Sequence, residues 1–430
     1  MGYDLLFMLL LSVYMEKRIL GSKYVLFSPF FMFHISFLYI YIMPLIMYCD
    51  PESINYLNRI NEYDVENLLL YVRLFYYVFF FGELYCLLQL KKKKTIYKSI
   101  EFVLQDRFFA YISAILIGMG LFIDLYRVSF NPLNYYYMMI DPRSFTYLRE
   151  GLGAFTILSS FIRMFLVYVA ILYYNQKKTL KRAIYVLLCS VYCILGGSKS
   201  SLLLVVIFII LLYQKCSKQS VRISNYANIK IVLSFIGIVL VSFYLMSGSI
   251  ELDSLFDVIN FVISYSQEAY FSAMVISDFE WDIDYVILMI KSFILTPIPR
   301  AIFEDKGFYS FYNVYWHDLY QPNSPLFHTS TYGFLAEGHM IMGFFSPVLY
   351  GLFICWLLKK IYAYFYRVQG FLGVFITLYF ISRIYFFTRT SFLDPTSLWT
   401  LLIYYIISLI IFKLLQKYTN KKSDITQLNN

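Results

Sequence analysis

Apolar runs about as long as a bilayer crossing alternate along this chain of 430 residues with short hydrophilic connections. A helix needs about 20 mostly apolar residues to cross the hydrocarbon core. Such stretches fall at 3–15, 24–48, 67–90, 108–125, 154–174, 183–197, 200–213, 230–248, 331–358, 368–388 and 397–413. They predict an all-α polytopic membrane protein with about eleven transmembrane helices. The first stretch is short and resembles the apolar region of a signal peptide. Asp4 interrupts it and no small-residue cleavage site follows, so it is expected to stay as a helix. The segment 183–213 reads as two helices folded at Gly196-Gly197-Ser198-Lys199, with one long tilted helix as the alternative.

The polar connections are asymmetric. Those around 16–23, 91–107, 175–182, 214–230, 359–367 and 413–424 hold 24 of the 36 basic residues, as 19 Lys and 5 Arg. The apolar spans and the opposite loops hold 9 Arg and 3 Lys. Lysine-rich short loops face the cytoplasm. Putting all six inside gives an outside N-terminus, an inside C-terminus and a consistent sign at every turn. The domain reading is a bundle of about eight spans over 1–248, one large periplasmic loop with an interfacial helix over 249–330, about three spans over 331–413, and a cytoplasmic tail over 414–430. The large loop, between spans 8 and 9, carries 11 acids against 3 bases. Within it, Tyr285 to Leu295 is apolar, ends at Pro297 and Pro299, and is too short to span, so an interfacial or re-entrant helix is expected.

Composition narrows the class. The chain is 60% hydrophobic and 15% charged, with a mean hydropathy of +0.63, which excludes an ordinary soluble domain. The net charge of +9 sits in short loops beside apolar spans, so it addresses membrane lipids and not nucleic acid. The six cysteines lie in or beside apolar spans with no CxxC pair and read as small apolar residues. No phosphate-cradling glycine loop, HExxH or GxSxG occurs, and no cofactor or metal set is expected.

The arginines outside the lysine-rich loops need their own explanation. A guanidinium is a planar fork suited to phosphate and carboxylate, and within a span it is costly unless paired. Arg73, Arg163 and Arg383 lie in or near span ends; Arg143, Arg149, Arg300 and Arg389 lie in outside loops. Arg73, Arg143, Arg163, Arg300 and Arg383 are the candidate pyrophosphate ligands. The bland alternative for the intramembrane arginines is snorkelling, or pairing with Glu83 or Asp124. Three of the four histidines, His317, His328 and His339, fall at the end of the large loop and the start of the next span. Their spacing is not a metal-ligand spacing. His34, alone in an apolar stretch, reads as a packing residue. Glu337 sits just inside the ninth span, where a carboxylate must be paired or line a wet cavity. Glu337, His328 and His317 are the candidate proton acceptors. Eleven of the 35 residues from Arg300 to Phe334 are aromatic, an interface belt or a surface for stacking sugars.

Several stretches resemble the Wzy-type O-antigen polymerases. Gly196-Gly197-Ser198-Lys199-Ser200-Ser201 heads a short apolar span, and a large outside loop follows. Then come Pro297-Ile-Pro299-Arg300 with Lys306, and Ser330-Thr331-Tyr-Gly333-Phe-Leu-Ala-Glu337 leading into Gly343-Phe. The resemblance implies a multi-pass protein of the bacterial inner membrane, active on its periplasmic face. It implies an undecaprenyl-pyrophosphate-linked oligosaccharide as both donor and acceptor, metal-independent glycosyl transfer, and a chain-length regulator protein as a partner. Two other readings share parts of this pattern: an O-antigen ligase, which transfers the glycan to lipid A-core, and a lipid-linked oligosaccharide flippase.

Overall fold

The computed structural model describes residues 2–21, 27–49, 56–92, 106–140, 153–194, 200–216, 267–298, 333–368, 370–390 and 392, with 398–399, 401–403, 405–407 and 409–410 beyond them. Among these residues every regular element is helical. In chain order they are α1 (Tyr3–Leu20), α2 (Pro29–Ile46), α3 (Glu62–Lys92), α4 (Asp106–Arg127), α5 (Pro132–Ile140), α6 (Gly153–Gln176), α7 (Leu180–Ile194), α8 (Ser200–Cys216), α9 (Glu268–Asp278), α10 (Ile283–Leu295), α11 (Gly333–Met342), α12 (Ser346–Arg367) and α13 (Phe371–Arg389).

Six stretches are helical, long and apolar enough to cross a bilayer: Pro29–Ile46, Glu62–Lys92, Phe109–Arg127, Leu158–Gln176, Gly333–Arg367 and Leu372–Arg389. They coincide with six of the predicted spans, and the protein is a helical membrane protein. Helix α1 covers the first predicted span, but Asp4, Glu16, Lys17 and Arg18 make it too polar to count with the six. Helices α7 and α8 are separate, with 15 and 17 residues, and they pack against each other. The predicted span 230–248 lies outside the described residues. The one at 397–413 is described only as short helical pieces between 398 and 410.

The stretch Gly333–Arg367 would be about 52 Å long as one straight helix, far more than a crossing requires. It is not straight. A 3-10 turn at Gly343–Phe345 separates α11 from α12, and Gly343 has φ +58°. Gly338 lies against the Ser346 hydroxyl and the Tyr350 ring, positions about 12 and 18 Å further along a straight helix. Helix α11 therefore folds back at Gly343 and packs on α9 and α10, and α12, with 22 residues, is by itself long enough to cross a bilayer.

The apolar stretch read as an interfacial or re-entrant segment forms helix α10. Asp282 caps α10 by accepting from Asp284 N at 3.1 Å, and the helix stops before Pro297. Ile283, Ile287, Ile290, Phe293 and Ile294 are exposed along α10 while Ser292 is buried, as suits a helix lying in an apolar medium.

The contacts divide the chain into two compact units that do not follow chain order. The first comprises Met1–Thr95, Leu240–Tyr364 and Arg383–Leu401; the second comprises Ile96–Val239, Phe365–Ser382 and Leu402–Asn430. Rings fill the core of the first. Phe33 stacks on Phe79 at 4.5 Å, Phe37 on Tyr76 at 5.0 Å, and Phe334 meets Phe75 edge-on at 5.2 Å. Each pair adds about 0.5–1.5 kcal/mol beyond its buried area. In lipid such packing replaces the hydrophobic effect as the force between helices. In the second unit Phe375 packs against Phe165 and Tyr168 at 5.2 and 5.3 Å.

A surface staple closes one end of α4, α6 and α7. Tyr173 OH and Arg182 both donate to Asp106, at 2.9 and 2.7 Å. The Tyr173 hydrogen bond, with the Arg182 charge beside it, holds the Asp106 carboxyl below its ordinary pKa.

One backbone position yields a prediction. Gly333, at the start of α11, has φ +76°, and a methyl group there would overlap the Tyr41 hydroxyl. Gly333→Ala combines left-handed strain with overpacking, and should cost about 1–3 kcal/mol. It should lower the thermal midpoint of the detergent-solubilised protein, whereas Gly370→Ala, in open space, should lower it far less.

Candidate functional site

Eight of the ten residues of helix α11 are buried within the first unit. Glu337 is 1% exposed and accepts a hydrogen bond from Tyr350 OH at 3.0 Å. Tyr350 comes from α12, so the reversal at Gly343 is what brings donor and carboxylate together. Tyr41, from α2, lies within electrostatic reach of both Glu337 and Glu268. Its hydroxyl is 3.3 Å from Ser272 Oγ and accepts from Leu335 N at 3.4 Å. Glu268, the first residue of α9, is 1% exposed and pairs with Arg389 Nε at the end of α13. Arg389 keeps a third of its side chain exposed and lies by Tyr39 and Tyr385, whose rings are 6.0 Å apart. A carboxyl pair, a hydroxyl pair and a partly open guanidinium thus converge from α2, α9, α11, α12 and α13. His339, on α11, lies 3.3 Å from the Phe279 carbonyl and edge-on to Tyr71, tying α11 to the chain after α9.

The second unit holds a separate charged cluster. Asp124, fully buried on α4, accepts from Arg163 NH2 and from Ser159 Oγ at 2.7 Å. Arg127 NH1 lies 3.6 Å from the same carboxylate. Two guanidiniums thus face one carboxylate. Arg163 and Arg127 are 4% and 6% exposed, and Arg163 lies 5.2 Å over the Tyr192 ring. Such a charge is tolerable in a buried setting only where partners surround it.

The predicted site residues divide between these places. Glu337 and Arg383 are in the first unit, where the Arg383 guanidinium sits 4.9 Å from the Phe386 ring. Arg163 is in the second unit and pairs with Asp124, one of the two carboxylates considered for the intramembrane arginines. Arg73 gives both prongs of its fork to Asp4, at 2.8 and 3.1 Å, and so ties α3 to α1. Glu83, the other anticipated arginine partner, pairs with His34. His317, His328, Arg143 and Arg300 lie outside the described residues. Sequence reasoning did not select Glu268 or Tyr350. The signal for Glu268 was present: an acid heading the otherwise apolar run Ala269 to Ile276.

Among the described residues no group of three or more His, Cys, Asp and Glu could hold a metal ion. Comparisons with family models, curated proteins and solved structures gave no match to this chain.

Proposed function

We propose that this protein is an O-antigen polymerase. It joins undecaprenyl-pyrophosphate-linked oligosaccharide repeat units on the periplasmic face of the bacterial inner membrane and releases undecaprenyl pyrophosphate. The observation that carries the reading is the partition of the cations: lysine fills the loops assigned to the cytoplasm, and arginine dominates the spans and the opposite side.

In the reaction an acceptor sugar hydroxyl attacks the anomeric carbon of the donor glycan. The bond from that carbon to the pyrophosphate oxygen breaks, and the hydroxyl proton passes to a base. Negative charge grows on the leaving pyrophosphate, and guanidiniums can stabilise it without a metal. Arg300 and Arg383 are assigned that role, with Arg389 added because its partly exposed fork is backed by buried Glu268; Arg163, buried against Asp124 in the second unit, is assigned to packing. Arg73, held by Asp4, is assigned to packing. Glu337 is the favoured base, with Tyr350 as the neighbour that orients its carboxylate. His328 and His317 are the alternatives.

This mechanism needs the large loop outside. Alkaline phosphatase fused at Asp278 should be active and a cytoplasmic reporter silent there, with the opposite result at Lys94. A silent phosphatase at Asp278 removes the reading.

A further inference from the structure

Behind the aromatic core of the first unit lies a polar cluster that the proposed transfer does not use. From α1 come Glu16 and Ser12, from the start of α2 Ser28 and His34, and from α3 Tyr76 and Glu83. Glu16, Ser28 and His34 are fully buried and Glu83 is 1% exposed. His34 is gripped on both nitrogens, with Tyr76 OH 2.8 Å from Nδ1 and the Glu83 carboxylate 3.0–3.1 Å from Nε2. Ser28 Oγ takes a hydrogen bond from Phe31 N at 3.0 Å and gives its own to Glu16 Oε1. That hydroxyl is then used up. Glu16 Oε2 is buried and has no hydrogen-bond partner.

The charges do not balance without protons. Glu16 and Glu83 are close enough to repel one another. Among the described residues the remaining titratable groups against them are Tyr76 and Cys86 on α3 and Cys355 on α12, none of which can carry positive charge. Lys359, one turn beyond Cys355, acts on Cys86, and its ammonium is bound to Gln89 Oε1. Among the described residues His34 is the one basic side chain packed in the cluster, and it pairs with Glu83. A buried net charge is far more costly than a proton retained.

We propose that Glu16, His34 and Glu83 form a proton-binding site, with one proton on Glu16 and one held between His34 and Glu83. Glu16 is then a neutral carboxylic acid beside the His34–Glu83 pair. Glu16 precedes Lys17 and Arg18, and Glu83 is two turns before Lys91, so the site lies towards the ends of α1 and α3 assigned to the cytoplasm. Loss of the Glu16 proton sets two carboxylates against each other across α1 and α3. The site therefore links the seating of α1 to cytoplasmic proton activity, independently of the sugar chemistry.

Infrared difference spectroscopy of the full-length protein in lipid vesicles, stepped through pH, tests this. The wild type should show the carbonyl stretch of a protonated carboxylic acid at neutral pH and lose it as pH rises. Glu16→Gln should lack that band while remaining folded, because the amide copies the neutral acid in size. In Glu83→Gln the repelling carboxylate is gone, so Glu16 should lose its proton, and the band with it, at a pH about 1 unit lower or more. An unchanged band in folded Glu16→Gln, or no band at all in the wild type, overturns the proposal. A band that disappears at the same pH in Glu83→Gln and wild type overturns the coupling between the two carboxyls.

Discussion

Cells lacking this protein should make lipopolysaccharide whose lipid A-core carries a single repeat unit and no ladder of longer chains. A polymerase acts after the lipid-linked repeat has crossed the membrane, and before or beside ligation, so flipping and ligation continue without it. Loss of a ligase or a flippase would instead leave the core bare. The two outcomes differ in every band above the core on a gel, which makes this the prediction with the largest effect. Complementation then tests the base. Glu337→Gln keeps the size of the side chain and can still accept from Tyr350 OH, but it cannot take up a proton. It should restore the fold and leave the one-repeat product, with chain extension reduced about 10²-fold or more. Protein abundance measured in the same cells separates this from misfolding. A full ladder from Glu337→Gln moves the role to His328, and a bare core in the deletion strain removes the polymerase reading.

The second large effect is on stability, at Asp124. Asp124→Asn leaves the Arg163 and Arg127 guanidiniums buried without the carboxylate they share. Breaking a buried ion pair by removing one partner typically costs about 3–5 kcal/mol, because the remaining charge is stranded. The variant should accumulate poorly in membranes and melt well below the wild type in detergent. Arg163→Met in the same background removes one stranded charge and should recover part of the loss. Asp4→Asn offers the comparison. There the pair with Arg73 is more than a third exposed on both sides, and its loss should cost no more than about 1 kcal/mol. Equal loss from Asp124→Asn and Asp4→Asn would mean that burial does not control the energy of these pairs.

Hydropathy made several features legible, because it is a local property. The six membrane-length helical stretches, the separation of α7 from α8, and α10 with its stop before Pro297 all follow from composition within a window of 10 to 30 residues. The intramembrane arginines were legible as charges that require partners, and Asp124 and Glu83 as carboxylates that could serve, but only the structure assigns Asp124 to Arg163 and Glu83 to His34. The break at Gly343 was harder to see. Gly343 and Ser346-Pro347 can end one helix and start another, but the apolar residues on both sides run on as a single stretch of membrane length. The left-handed Gly343 turns the chain there, Gly338 packs against Ser346 and Tyr350, and the turn creates the Tyr350–Glu337 hydrogen bond.

What the sequence by itself determined is that this chain is a helical membrane protein, and which of its charges are expensive to bury. Tertiary structure decided how those charges are matched. Glu268 meets Arg389 across 121 positions, and Glu83 meets His34 across 49. Tyr41 reaches Ser272 across 231. The physical reason is that hydropathy acts along one helix, whereas a buried charge is neutralised by whichever helix packs against it. Covalent order places no limit on that choice, as the two compact units, each assembled from separated stretches of chain, make plain.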